Sequence, residues 1–187
     1  NDITVDRTAI DVASMTSTDG EWLDYTIRFQ NTGTAEAINV RVQDMMEEDL
    51  DLSTFQQLNA SHPFTLSFDE NRRVEWLFEN IMLPDSFSNE EASHGFIHFR
   101  IKTNPGLGLN DVVENSAAIY FDFNEPVITN TATTIFYECT QNAEIIGVAD
   151  VCEGNDVSLS SSGNWSDYTW TVNGNVVGAE NQLILYD

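Results

Sequence analysis

The oxygen-rich side chains are where chemistry would begin in this chain. Asp122, Asn124 and Glu125 stand directly before Pro126, at the end of a strand-like run. Calcium takes six to eight oxygens from carboxylates and carbonyls, and a turn at a fixed corner could aim several of them inward. The same residue types also bond backbone amides at strand ends, and that structural use comes first here. Asp44, Glu47, Glu48, Asp49 and Asp51 form a second acidic group, read as a solvated loop. Glu90 and Glu91 form a third, beside ASHGF. None has the spacing of an EF-hand loop.

Other chemistries find less. The histidines are His62, His94 and His98. Ser93 and His94 are neighbours, and neighbours on a strand face opposite ways. No serine sits in a Gly-x-Ser-x-Gly elbow, so no nucleophile is marked. His94 and His98 would meet on a helix, but on a strand they stand about 13 Å apart, which rules against a shared zinc. Lys102 is the only lysine. Alternation puts it with Arg100 and His98 on the polar face, so a buried lysine crosslink is not expected. Exposed tryptophans stack on sugar rings, and Trp22 and Trp165 lie in turn-like contexts that would expose them. Packed loop anchors are the competing reading for both. Trp76 and Trp170 sit on strand patterns and belong to the core.

Those side chains must be positioned by strands. YTIRFQ sets Tyr25, Ile27 and Phe29 against Thr26, Arg28 and Gln30. INVRVQ sets Ile38, Val40 and Val42 together, and FTLSF sets Phe64, Leu66 and Phe68 together. RVEWLF groups Val74, Trp76 and Phe78, and FIHFRIK groups Ile97, Phe99 and Ile101. AAIYFDF groups Ala117, Ile119, Phe121 and Phe123. A first strand in ITVDRTAIDV and a last around Ile135 make about eight. Breakers at Asp19-Gly20, Thr32-Gly33, Pro84-Asp85 and Pro105-Gly106 separate them. Residues 45–58 lack alternation and read as a loop crossing between sheets. Strands with one dry face need a second sheet, so the fold class is all-β, an antiparallel β-sandwich.

The chain has 187 residues, 31 acidic and 7 Lys or Arg side chains, and a formal net charge of -24. Such a surface repels phosphate, which excludes nucleic acid and anionic membranes as partners. A saline medium relieves the self-repulsion. No apolar run of 18 residues exists for a membrane-spanning helix, and membrane insertion is not expected.

The stretches YTIRFQNTGTAEAINVRVQD (25–44), FENIMLPDS (78–86), ASHGFIHFRIK (92–102) and ENSAAIYFDFNEPVITNT (114–131) carry a family resemblance. Together they resemble the Ig-like conserved-repeat domain, of unknown function, in large secreted and cell-surface proteins of Bacteroidetes. The resemblance implies an Ig-like sandwich over 1–138, an extracellular or cell-surface location, and export by the type IX system. Residues 139–187, with DVSLS and YTWTVNG, are similar to the first half of an Ig-like or polycystic-kidney-disease-type repeat. That second β-sandwich would be partial, with Asn173-Gly174 as its hairpin turn. Asn1 at the start and Asp187 after NQLILY favour an internal piece of a longer chain.

An exported chain allows a Cys139–Cys152 disulfide. Closing its loop would contribute about 3 kcal/mol, and cysteines left free or paired elsewhere are the alternative. The functional expectation is a non-catalytic spacer or assembly unit of an adhesin or filament, not an enzyme. Its partners would be other domains of the same polypeptide, and homotypic or cell-surface partners, including strand addition. No cofactor is required, with calcium as the one candidate. A carbohydrate-binding accessory module of a secreted enzyme is the other reading.

Overall fold

The computed structural model describes residues 1–15, 18–138, 145–147, 157–161, 169–172, 175–179 and 182–185. The chain divides into two units, Asn1–Cys139 and Thr140–Asp187.

Among its described residues the first unit holds twelve strands: β1 (Asp2–Val5), β2 (Ala9–Asp11), β3 (Trp22–Gln30), β4 (Val40–Met45), β5 (Leu50–Ala60), β6 (Thr65–Phe68), β7 (Arg73–Phe78), β8 (His94–Thr103), β9 (Val112–Asn115), β10 (Ala117–Phe121), β11 (Val127–Ile128) and β12 (Ala132–Tyr137). They form sheets ordered β1-β3-β8-β5, β11-β10-β4-β7-β6 and β2-β12-β9. All pairings are antiparallel except β2 with β12, which run parallel. No α-helix occurs among the described residues.

Period two explains the two larger sheets. Tyr25, Ile27 and Phe29 on β3 are buried, as are Ile97, Phe99 and Ile101 on β8. From the other sheet come Val40 and Val42 on β4 and Val74, Trp76 and Phe78 on β7. The two layers meet through rings. Phe99 lies 5.3 Å from Trp76, and Phe29 lies 5.3 Å from Phe78. Offset and tilted ring pairs at such separations are favourable beyond their buried area. This is a sandwich of two antiparallel sheets.

Four expectations need correction. Residues 45–58 are not a simple loop, because β5 occupies most of the segment. Its register against β8 shifts between Asp51 and Gln56, and again between Gln57 and Asn59. Extra residues bulge out there, and a bulge erases the alternation that marks a strand. Asp51 fastens the first bulge by accepting from the N–H and hydroxyl of Ser53 at 2.9 and 2.6 Å. Second, ITVDRTAIDV is two strands: β1 joins β3, and β2 joins β12. Third, Ile38 does not share the dry face of Val40, because it is 49% exposed while Ala37 is buried and bridged to Leu83. Fourth, Phe123 leaves the face of Ala117, Ile119 and Phe121. Asp122 has φ of 53° and turns the chain, so Phe123 is fully exposed.

Side-chain amides lock the sandwich's loops and ends. Buried Asn31 donates to the carbonyls of Ala35 and Leu83 at 2.9 and 3.0 Å and accepts from Gly33 N–H at 3.0 Å. Asn130 acts as a strand neighbour for Ile3, accepting from its N–H at 3.0 Å and donating to its carbonyl at 2.9 Å. At Gly20, φ is +84° and the Cβ of any other residue would sit 1.9 Å from the Thr103 carbonyl oxygen. Gly20→Ala is therefore expected to lower stability by about 1–3 kcal/mol. Urea denaturation measures this, and a variant as stable as the parent would show that the segment before β3 does not approach Thr103 so closely.

Among the described residues of the second unit, β13 (Ile145–Gly147), β14 (Val157–Ser161) and β17 (Gln182–Leu185) form a three-stranded antiparallel sheet. There β15 (Trp170–Val172) pairs with β16 (Asn175–Gly178). Val172 stands opposite Asn175, and the expected turn residues Asn173 and Gly174 lie outside the described residues. Trp170 is buried.

Candidate functional site

The acidic corner before Pro126 is built by the positive φ of Asp122. That conformation turns its carboxylate back onto the neighbouring segment, where it accepts from the N–H groups of Ile38 at 3.1 Å and Asn39 at 2.7 Å. Its own N–H donates to the Asn39 carbonyl at 2.9 Å. Asp122 thus clamps the entry to β4 against the exit of β10, while Asn124 and Glu125 are exposed. Among the described residues, no group of three or more His, Cys, Asp or Glu side chains is arranged to hold a metal ion.

Trp22 is not in a turn. It opens β3, opposite Lys102 on β8. The Arg100 guanidinium lies 4.6 Å from its ring centre and the Lys102 ammonium 5.4 Å. Both cations rest on the ring that a sugar would need, and Lys102 stays on the polar face. Trp165, Cys139 and Cys152 lie outside the described residues.

The outer face of β3 and β8 holds an open groove of about 520 Å³. Thr26 faces His98 across the ladder, Arg28 faces Phe96, and Gln30 faces His94. His94 and His98 therefore flank Phe96 on one strand. Sequence alone read this spacing against a zinc pair and left the groove unseen, because the second wall comes from β3. Each basic side chain has an acidic neighbour: Arg28 with Asp2 at 3.3 Å, His94 with Glu90 at 3.0 Å, and His98 with Asp24 at 4.0 Å.

A buried polar cluster was also missed. Asp44 does not belong to the solvated acidic loop expected from the sequence, because it is fully buried. It continues the inward face of Val40 and Val42 on β4, and alternation through QD could have revealed it. Its Oδ2 accepts from the Asn115 amide at 2.9 Å. Its Oδ1, the Asn115 Oδ1 and the Tyr25 hydroxyl are buried and have no protein partner. Burial pushes the Asp44 carboxyl up to about 7, against a smaller opposing effect of Asn115. Burial also raises the Tyr25 phenol, helped by the charges of Asp44, Glu47 and Asp6.

Comparison with solved structures returns bacterial surface proteins. The major pilin SpaA of Corynebacterium diphtheriae is 12% identical, with a TM-score of 0.48 over 98% of this chain and 52% of that one. The C-terminal domain of the Streptococcus pyogenes antigen I/II-family protein AspA is 12% identical, with a TM-score of 0.47 over 72% and 46%. A collagen-binding domain from a Staphylococcus aureus adhesin is 10% identical, with a TM-score of 0.43 over 73% and 96%. The chain spans about half the length of the first two. No curated protein matches its sequence. Residues 1–135 match a domain of unknown function, DUF7619. The match covers well over half of the chain, which therefore belongs to the DUF7619 family.

Proposed function

We infer that the chain is a non-catalytic, extracellular module of a larger bacterial surface protein, one that spaces, presents or joins its neighbours. The observation that carries this reading is the use made of its polar side chains. Asn31, Asp122 and Asn130 bond main-chain groups across loops and strand ends. Asp85 accepts from the N–H groups of Phe87 and Ser88 at 3.1 and 2.9 Å. Such bonds stiffen a scaffold and leave these groups engaged. The excess of acidic over basic residues suits a saline exterior. The resemblance to exported Bacteroidetes repeats supports type IX export and a role in an adhesin or filament.

Assembly by strand addition is the sharper form of this reading. Among the described residues, β13 and β17 are the outer strands of their sheet, and an outer strand offers its main chain to a neighbouring molecule. Sedimentation velocity and electron microscopy of the full chain test it across a rising concentration series. Oligomers or fibres that grow with concentration are expected. A monodisperse monomer throughout would overturn assembly.

A further inference from the structure

The groove on the outer face of β3 and β8 combines three properties. It has an aromatic floor, because the Phe96 side chain is only partly buried and enters none of the ring–ring contacts found among the described residues. Its size is within the range of small-ligand sites, about 300–1,000 Å³. Donors and acceptors alternate around the floor. Arg28 and Asp2, His94 and Glu90, and His98 and Asp24 each set a nitrogen beside a carboxylate. Thr26 and Ser61 add hydroxyls.

These pairs are largely exposed, with side chains 35–71% accessible. Exposed pairs add little to stability, so a ligand can compete for either member at small cost. Arg28 offsets Asp2, while Glu90 and Asp24 each lie beside an imidazole, within a molecule of net charge -24. An anion would be repelled by the whole surface, and a cation would find the carboxylates already beside Arg28 and the imidazoles. A vicinal diol needs what the groove has: a donor and an acceptor side by side, over a ring that receives the apolar face of a sugar. We propose that this groove binds a neutral oligosaccharide, with one pyranose stacked on Phe96 and its hydroxyls bridging the Arg28–Asp2 and His98–Asp24 pairs.

The proposal deepens the reading of an extracellular module and rests on it for the setting in which glycans are met. It moves sugar recognition away from Trp22, whose ring carries Arg100 and Lys102. The test is titration calorimetry of the full chain against a panel of neutral and acidic oligosaccharides. At least one neutral glycan is expected to bind. Phe96→Ala should weaken it about tenfold, the scale of one lost stacking contact. Arg28→Ala keeps the floor and guards against a Phe96→Ala protein that fails to fold, and it should weaken binding severalfold. Trp22→Ala should leave affinity unchanged. Affinity should vary less than about twofold with added salt, because no net charge is neutralised. Silence across the neutral panel would overturn the proposal. So would binding confined to acidic glycans, or full affinity retained in both groove variants. Glycan silence with self-association intact would remove only this site, and the converse would remove only the assembly reading.

Discussion

Trp76→Ala should destabilise the first unit by about 3–5 kcal/mol, the cost of emptying a large aromatic site in a packed core. Trp76 is fully buried on β7. Its ring touches Phe99 at 5.3 Å and Phe55 at 6.0 Å, so one truncation loosens both layers. The indole N–H also donates to the Gln57 side-chain oxygen at 2.6 Å. Gln57 lies beside the second register shift of β5, so Trp76 helps hold an irregular strand in place. Trp76→Phe separates the contributions: it keeps a ring, loses the hydrogen bond, and should cost about 1–3 kcal/mol. Urea denaturation followed by near-ultraviolet circular dichroism gives both values. A loss below about 1 kcal/mol for the alanine variant would contradict the packing of the two sheets through this residue.

Asp44→Asn should stabilise the protein above neutral pH and flatten its pH dependence. The folded carboxyl, held up to about 7 by burial, titrates above its ordinary value of 3.8. The native state therefore binds the extra proton between about pH 4 and pH 7. Stability from this group is full below the unfolded value, falls as pH rises through the folded one, and stays low above it. The total is on the order of 4 kcal/mol for a shift of this size. The asparagine removes the ionisation and brings an N–H donor to a cluster where Asn115 Oδ1 has no protein partner. Other groups titrate in the same window. His62 is lowered by burial and works in the opposite direction, so the wild-type-minus-variant difference isolates Asp44. Urea midpoints from pH 5 to pH 8 should show that difference widening with pH. A constant difference would mean that the carboxyl titrates normally.

Legibility in the sequence followed burial. Three strands, β3, β7 and β8, each put every second side chain into a closed core, and their alternation carried the sandwich. Alternation failed on β5 because its bulges change which residues oppose β8. It failed at Phe123 because one left-handed residue reversed the direction of the next side chain. Asp44 was hidden by its type: a carboxylate beside other carboxylates reads as solvated, whereas its position in the alternation says buried. The covered ring of Trp22 depends on Arg100 and Lys102, far away in sequence. The groove depends on Phe96 and Arg28 meeting through strand pairing. No local pattern reports either arrangement.

The parallel pairing of β2 with β12 has a mechanical meaning. Ala9, Ile10 and Asp11 lie beside Ile135, Phe136 and Tyr137, with both segments running the same way. The clamp of Asn130 on Ile3 and the bond from the Thr134 hydroxyl to the Arg7 carbonyl at 2.6 Å extend that seam. When a force draws the first and last segments of this unit apart, it acts along the strands. The crosspieces then bear the load together in shear and do not unzip one at a time.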